Sequence, residues 1–352
     1  MSHLMIMAGG TGGHVFPALA VANALRDKGT KVTWLGTRKG LEATIIPANN
    51  ISIEWVSVEG LRGKGVVSWL TAPFKLLRAI WQSAAAIRKV KPDCVLGMGG
   101  FVSGPGGLAA YLMRKPMIVH EQNAVAGLTN KYLAKISTRV LSGFPQVIDL
   151  PATTQWVGNP VRSAIESVKK TKQEKDSINI LVIGGSQGAH SLNECLPKLF
   201  SQQDHEINVW HQSGKKRSDS VSLKYDTLDM PAKITEFIDD MAAAYEWADL
   251  LVCRAGAMTI AECCAAAKPA LLIPYPFSAG DHQQKNAEVM LNVGAALIVS
   301  NEQLRMAQSL PELSELLRDK AKLQKMGEHA FSLHKPDALS NVVDVCEEYL
   351  HA

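Results

Sequence analysis

Short runs of aliphatic and β-branched residues alternate with longer segments of helical periodicity along the whole chain, the pattern of a parallel α/β protein. In the first half strands are predicted at 3–8, 31–36, 51–58, 93–97, 116–120 and 139–143, with helices near 17–28, 71–90, 103–113 and 127–136. A polar stretch from Ser167 to Ser177 interrupts this alternation and is the candidate interdomain linker. The alternation then restarts, with strands near 178–183, 207–211, 233–236, 249–253, 270–274 and 295–299, each followed by a helix. The restart echoes the beginning, because Leu181-Val182-Ile183-Gly184-Gly185-Ser186-Gln187-Gly188-Ala189-His190 has the layout of Met5-Ile6-Met7-Ala8-Gly9-Gly10-Thr11-Gly12-Gly13-His14. This predicts two doubly wound, Rossmann-like α/β domains in tandem with a cleft between the carboxyl edges of their sheets. The expected boundaries are 1–163 and 164–335, with 336–352 a C-terminal helix returning to the first domain.

Composition narrows the function classes. The 352 residues suffice for two domains with their own cores, and 47% hydrophobic with 20% charged residues is an ordinary globular balance. A net charge of +4 is too small to suggest a nucleic-acid partner, and no apolar run reaches the length of a membrane-spanning helix. The N-terminus lacks the basic start of a signal peptide, so a cytoplasmic protein is expected. Six cysteines without metal-ligand spacing read as reduced, mostly buried thiols.

Each glycine-rich turn follows a strand and opens a helix, where free N–H groups and the helix dipole receive phosphate. Neither is a dinucleotide fingerprint: Val15 stands where the third glycine would be, and Arg38, not an acid, follows the second strand. His14 falls on a first helical turn, which favours a neutral imidazole suited to general base catalysis; a capping role is the alternative. Glu262, in Arg254-Ala255-Gly256-Ala257-Met258-Thr259-Ile260-Ala261-Glu262, could accept hydrogen bonds from a ribose diol or merely complement a helix dipole. Amides clustered in Asp281-His282-Gln283-Gln284-Lys285-Asn286 suit sugar hydroxyls. No D-x-D occurs, and Asp239-Asp240 looks like a helix N-terminus, so no metal is expected and a diphosphate would be neutralised by N–H groups and arginine.

Between Leu61 and Lys91 lie Arg62, Lys64, Lys75, Arg78, Arg88, Lys89 and Lys91 without one acid. Trp69, Leu70, Phe74, Leu76, Leu77, Ile80 and Trp81 are interleaved, and Pro73 is placed in the first turn of the predicted helix. An anionic membrane surface is the partner this pattern suggests, with Trp69, Phe74, Lys75, Arg78, Ile80 and Trp81 facing it; a core-packed helix with a solvated basic face is the alternative.

Together Gly9-Gly10-Thr11-Gly12-Gly13-His14, Leu96-Gly97-Met98-Gly99-Gly100-Phe101-Val102-Ser103-Gly104-Pro105, His120-Glu121-Gln122-Asn123, Gly158-Asn159-Pro160-Val161-Arg162, Gly184-Gly185-Ser186-Gln187-Gly188 and Asp281-His282-Gln283-Gln284 resemble the MurG family in order and spacing. The resemblance implies a GT-B glycosyltransferase fold and transfer of GlcNAc from UDP-GlcNAc to the C4 hydroxyl of the muramoyl sugar of undecaprenyl-diphospho-muramoylpentapeptide, lipid I to lipid II. It implies inversion by single displacement, no cofactor, and a peripheral place on the cytoplasmic face of the bacterial inner membrane. By motif, His14 would be the catalytic base, while Thr11, Gly12, Gly13, Asn123, Arg162 and Ser186 would hold the donor. Ile238 would meet uracil through its backbone, Ala257, Met258, Thr259, Ile260, Ala261 and Glu262 would bracket the nucleotide, and Gln283 and Gln284, with Asn286 able to share the role, would take the sugar hydroxyls. Another GT-B UDP-sugar enzyme, such as a UDP-GlcNAc 2-epimerase, or a non-catalytic nucleotide-sugar binder are the alternatives.

Overall fold

The structure, a computed structural model, describes residues 2–58, 66–168, 177–185, 188–306 and 309–350, with backbone only at 66–70 and 279. The expected linker lies largely outside them. The chain forms two compact units, Met1–Pro160 with Asp337–Ala352, and Val161–Pro336.

The first unit runs β1 (His3–Met7), α1 (Gly12–Asp27), β2 (Lys31–Gly36), α2 (Glu42–Ala48), β3 (Ser52–Trp55), α3 (Val66–Val90), β4 (Cys94–Gly97), α4 (Ser103–Leu112), β5 (Met117–Glu121), α5 (Leu128–Leu133), β6 (Arg139–Ser142) and β7 (Gln155–Trp156). All seven strands are parallel, in the order β3-β2-β1-β4-β5-β6-β7. Order reverses at β1, where the next strands go to opposite sides, and a ligand-binding crevice is expected at such a point. Strand period two sorts β1 between two cores: Leu4 and Ile6 join Val15, Val21 and Leu25 of α1, whereas Met5 and Met7 join Ala79 and Ile87 of α3 and Ala109 of α4. Each Val, Leu, Ile or Met among these, fully buried, contributes about 1.5–3 kcal/mol.

The second unit runs α6 (Ser163–Glu166), β8 (Ile178–Ile183), α7 (His190–Ser201), β9 (Ile207–Gln212), α8 (Ser218–Asp226), β10 (Ala232–Thr235), α9 (Met241–Trp247), β11 (Leu250–Cys253), α10 (Ala257–Ala265), β12 (Ala270–Leu272), α11 (His282–Asn292), β13 (Ala296–Ile298), α12 (Asn301–Met306), α13 (Pro311–Leu317) and α14 (Lys320–Ser332). Its six parallel strands are ordered β10-β9-β8-β11-β12-β13, so the reversal falls at β8. The last helix, α15 (Ala338–Leu350), packs on α1, and its Val342, Val343, Cys346 and Leu350 lie in the core of the first unit.

Three local expectations are corrected. Helix α1 begins at Gly12 rather than 17, with Pro17 inside it, and α3 begins at Val66, which puts Pro73 in its interior rather than its first turn. Helix α2 and strand β7 have no counterpart among the predicted elements. All six cysteines are free, Cys195 alone being partly exposed.

Candidate active site

In the first unit the reversal point gathers the ends of β1, β4 and β5. His14 is the third residue of α1, whose N-cap Thr11 supplies no side-chain bond, and Thr11, Gly12 and Gly13 sit at its accessible start. The imidazole lies over Gly99, whose φ of +98° and lack of a side chain both matter, since a Cβ there would come within 2.8 Å of ring atoms Cε1 and Nδ1. Nδ1 of His14 is 2.8 Å from Oε1 of Gln122. Behind it, Nε2 of Gln122 is 3.1 Å from Nδ1 of His120 and 3.0 Å from the His120 carbonyl. Nε2 of His120 is 2.9 Å from the Gly158 carbonyl. Burial of His120 lowers its basicity, keeping that ring neutral.

The neighbouring Glu121 organises the loop that follows β5. Its carboxylate accepts from the backbone and side-chain amides of Asn123, from the Gly127 N–H and from Asn130. Asn123, expected to hold the donor, therefore has its side-chain amide directed to Glu121. The two glycine turns also differ in charge. Gly10 and Gly185 occupy equivalent places with φ of +90° and +79°, yet the Gly10 N–H donates to the buried carboxylate of Glu42, which also accepts from Thr37. A carboxylate at that turn opposes a phosphate there; among the described residues, none bonds the turn of the second unit.

The second unit holds a pocket of about 590 Å³ at the carboxyl ends of β8, β11 and β12. Arg217, Arg254 and Arg305 line it, with no described acid among its walls. It also takes in the starts of α7 and α10, whose N-cap residues, Ala189 and Gly256, make no side-chain cap bond, so the first-turn N–H groups remain available to an anion. Arg254 bonds the carbonyls of Ile273 and Pro274, Ser191 and Asn301, tying the strand ends to α7 and α12. Thr259 and Gln283 reach the pocket, and Gln283 accepts the Tyr275 N–H at 2.8 Å. Gln284 is exposed and donates to Glu288, and Asn286 is buried against the Ala255 carbonyl. Ser186 lies outside the described residues.

Beside the pocket, α6 packs on α10, which brings Arg162 within 2.9 Å of Glu262 Oε1. Tyr245, buried on α9, donates its hydroxyl to Glu262 Oε2 at 3.1 Å. Burial pushes the Glu262 carboxyl above its usual range, with Arg162 opposing, and burial raises the Tyr245 phenol likewise. Asp240 caps α9 through the Ala243 N–H, and just before it Ile238 is buried. Ala257 and Ile260 are buried and Met258 and Ala261 half-buried. No motif announced Tyr245, Glu42 or the Gln122–His120 pair as a working group.

On α3, Phe74 is 74% exposed and Trp81 71%, with Leu77, Lys75 and Arg78 exposed beside them. Ile80 departs from its expected outward place and packs half-buried against the core under the helix, while nothing is described of the Trp69 side chain. Helices α4 and α5 add exposed Tyr111, Leu112, Leu128 and Tyr132, which the sequence reading missed.

Two tandem doubly wound units, the second with an arginine-lined pocket that holds no described acid, have the GT-B fold of glycosyltransferases. The family model of the glycosyltransferase family 28 N-terminal domain matches residues 4–142, and that of the C-terminal domain residues 179–342. The chain belongs to the MurG family of these enzymes. A Nitrosococcus oceani protein named UDP-N-acetylglucosamine–N-acetylmuramyl-(pentapeptide) pyrophosphoryl-undecaprenol N-acetylglucosamine transferase is 45% identical over 351 residues, 98% of each chain. The crystal structure of Acinetobacter baumannii MurG superposes with a TM-score of 0.88 at 38% identity, covering 99% of this chain and 100% of that one. A putative UDP-N-acetylglucosamine 2-epimerase from Listeria monocytogenes shares the fold at a TM-score of 0.65 and 15% identity, over 99% and 96% of the two chains.

Proposed function

We propose that the chain performs the reaction for which its relatives are named. It transfers GlcNAc from UDP-GlcNAc to the C4 hydroxyl of the muramoyl sugar of undecaprenyl-diphospho-muramoylpentapeptide, converting lipid I to lipid II in peptidoglycan synthesis. The observation that carries this reading is identity of 45% over 98% of the chain, a span that includes both glycine turns. The pocket, with three arginines and no acid among its described walls, supports it, since the departing diphosphate gains charge that arginines and helix N-termini stabilise without a metal.

The acceptor hydroxyl attacks C1 of GlcNAc as the bond from C1 to the β-phosphate oxygen breaks, UDP leaves with its electron pair, and the hydroxyl proton passes to Nε2 of His14. Configuration at C1 inverts and no covalent enzyme intermediate forms. In the second unit Glu262 accepts from the ribose, Arg162 stabilises the departing diphosphate, and Ile238 meets uracil through its backbone. Residues Ala257 to Ala261 bracket the nucleotide, and of the two glutamines Gln283, at the pocket, takes the sugar.

No described helix is long and apolar enough to cross a membrane. Exposed Phe74, Leu77 and Trp81 with Lys75 and Arg78 support peripheral docking on an anionic surface, which in this reading is the cytoplasmic face of the bacterial inner membrane. The test is incubation of the purified chain with UDP-GlcNAc and a short-chain lipid I analogue, with thermal shifts for UDP-GlcNAc, UDP and NADPH. Disaccharide product with stabilisation by the uridine ligands is expected. Conversion of UDP-GlcNAc to its C2 epimer without transfer, or stabilisation by NADPH alone, would overturn the reading.

A further inference from the structure

The hydrogen bonds behind His14 have only one self-consistent direction. A carbonyl only accepts, so His120 Nε2, 2.9 Å from the Gly158 oxygen, carries a proton and donates it. In a neutral ring the other nitrogen is then an acceptor, and His120 is fully buried with a lowered basicity and no described acid bonded to it. Its Nδ1 must receive a donor, which is the Gln122 amide at 3.1 Å; the same nitrogen donates to the His120 carbonyl at 3.0 Å. Turning this amide over would set its oxygen against that carbonyl and against the His120 lone pair. Oε1 of Gln122 therefore faces His14, and because it only accepts, His14 Nδ1, 2.8 Å away, must be protonated.

We propose that Gln122 and His120 are positioning residues that hold His14 as its Nδ1–H tautomer, so that the lone pair is on Nε2 and ready for the acceptor's proton. The proposal rests on the reading of His14 as the base. The Gly158 carbonyl sets the first proton, and each acceptor in turn dictates the next. The backbone is held as firmly: Asn159 donates to the Gln122 carbonyl and Asn130 to that of His120. The acids on adjoining elements are engaged elsewhere, Glu42 by Gly10 and Thr37, Glu121 by Asn123, Gly127 and Asn130, and no described charged side chain bonds the His14 ring. A neutral amide thus orients the base where many hydrolases use a carboxylate, fixing the tautomer without a negative charge that would hold the proton on the imidazole after transfer.

The test is ¹⁵N NMR of the full chain with labelled histidine, the His14 signals being assigned by their absence in His14→Gln, together with kcat, donor KM and pH profiles of Gln122→Met and Gln122→Glu. The expected result is a pyrrole-like Nδ1 and a pyridine-like Nε2 in the parent protein. In Gln122→Met the two tautomers mix, and kcat falls by about 10- to 100-fold, part of what a positioned base supplies, with KM for UDP-GlcNAc unchanged. In Gln122→Glu the new carboxylate stabilises the imidazolium and moves the acid limb of kcat/KM to higher pH. An Nε2–H tautomer in the parent, loss of kcat in Gln122→Met with the tautomer intact, or an unmoved acid limb in Gln122→Glu would overturn the proposal. Should Gln122→Met not fold, the parent tautomer and the Gln122→Glu profile decide. Failure of the base reading looks different: His14→Ala would keep its kcat whatever the tautomer.

Discussion

Replacing Glu262 by alanine separates two effects that meet on one carboxylate. Oε2 is the partner of the Tyr245 hydroxyl, whose ring is fully buried, and Oε1 pairs with an Arg162 side chain that is 57% exposed. An orphaned buried hydroxyl costs about 1–3 kcal/mol, and an ion pair with so exposed a partner contributes about 0–1 kcal/mol. The loss of stability therefore comes mainly from Tyr245, and at about 2–4 °C per kcal/mol for a unit of this size Tm is expected to fall by roughly 2–12 °C. Because burial raises the Glu262 carboxyl on folding, its ionisation disfavours the folded state. The parent loses stability as pH rises from the ordinary carboxylate range through the raised value, the variant does not, and the Tm deficit narrows from acid to neutral pH. Loss of the proposed ribose contact should weaken UDP and UDP-GlcNAc alike by about 1.5–3 kcal/mol, roughly 10- to 150-fold. Glu262→Gln returns an acceptor to Tyr245, so it should recover most of the Tm and little of the affinity. Thermal unfolding at two pH values and calorimetric titration read both effects. An unchanged Tm in Glu262→Ala refutes the reasoning about the buried phenol, and affinity lost for UDP-GlcNAc but not for UDP moves the contact to the sugar.

Four further outcomes are expected. His14→Ala should lower kcat by about 10²- to 10⁴-fold with the donor Kd unchanged, measured by transfer assay and calorimetry; preserved kcat makes His14 a cap. Gly99→Ala should also lower kcat while sparing UDP affinity, since the new methyl strains a φ of +98° and displaces the His14 ring, and an equal loss in both would place the damage elsewhere. Lys75→Glu with Arg78→Glu should cost about 2–4 kcal/mol of binding to anionic vesicles at low salt, with less loss at high salt and activity on a short-chain acceptor retained; unchanged co-sedimentation returns α3 to a packing role. Turnover should survive exhaustive chelation, and a complete loss restored by metal would show that arginine and helix N-termini do not suffice at the diphosphate.

The central strands were legible because β1 and β8 are buried on both faces and so read as near-continuous apolar runs, with only His3 at the start of β1 and Asn179 within β8 as polar positions. The start of α1 was not, since Pro17 resembles a first-turn proline although the helix already runs from Gly12. Periodicity also cannot announce α2, seven residues with Pro47 near the end, and still less that its Glu42 reaches back to Gly10. In the site, Arg162 and Glu262 were named singly from motifs, but their pairing is a fact of α6 packing on α10. Gln122 was quoted only as part of a motif, because its work depends on a backbone carbonyl at Gly158 far along the chain. The outward stripe of α3 was half legible: Phe74 and Trp81 face out, while Ile80, one residue from Trp81, turns to the core.

The return of α15 to the first unit has a consequence for biosynthesis. Val342, Val343, Cys346 and Leu350 fill the same core as Leu4, Val21 and Leu25, so the core begun by β1 and α1 is not closed until α15 has been made. The second unit, Val161–Pro336, is continuous in the chain and can close first. At about 5–20 residues per second the nascent first unit waits on the order of 10–40 s with the α15 side of its core uncovered. That interval is when the half-built sheet is open to chaperones and to wrong partners, and a chain cut short within α15 would prolong it indefinitely, damaging the part of the protein made first.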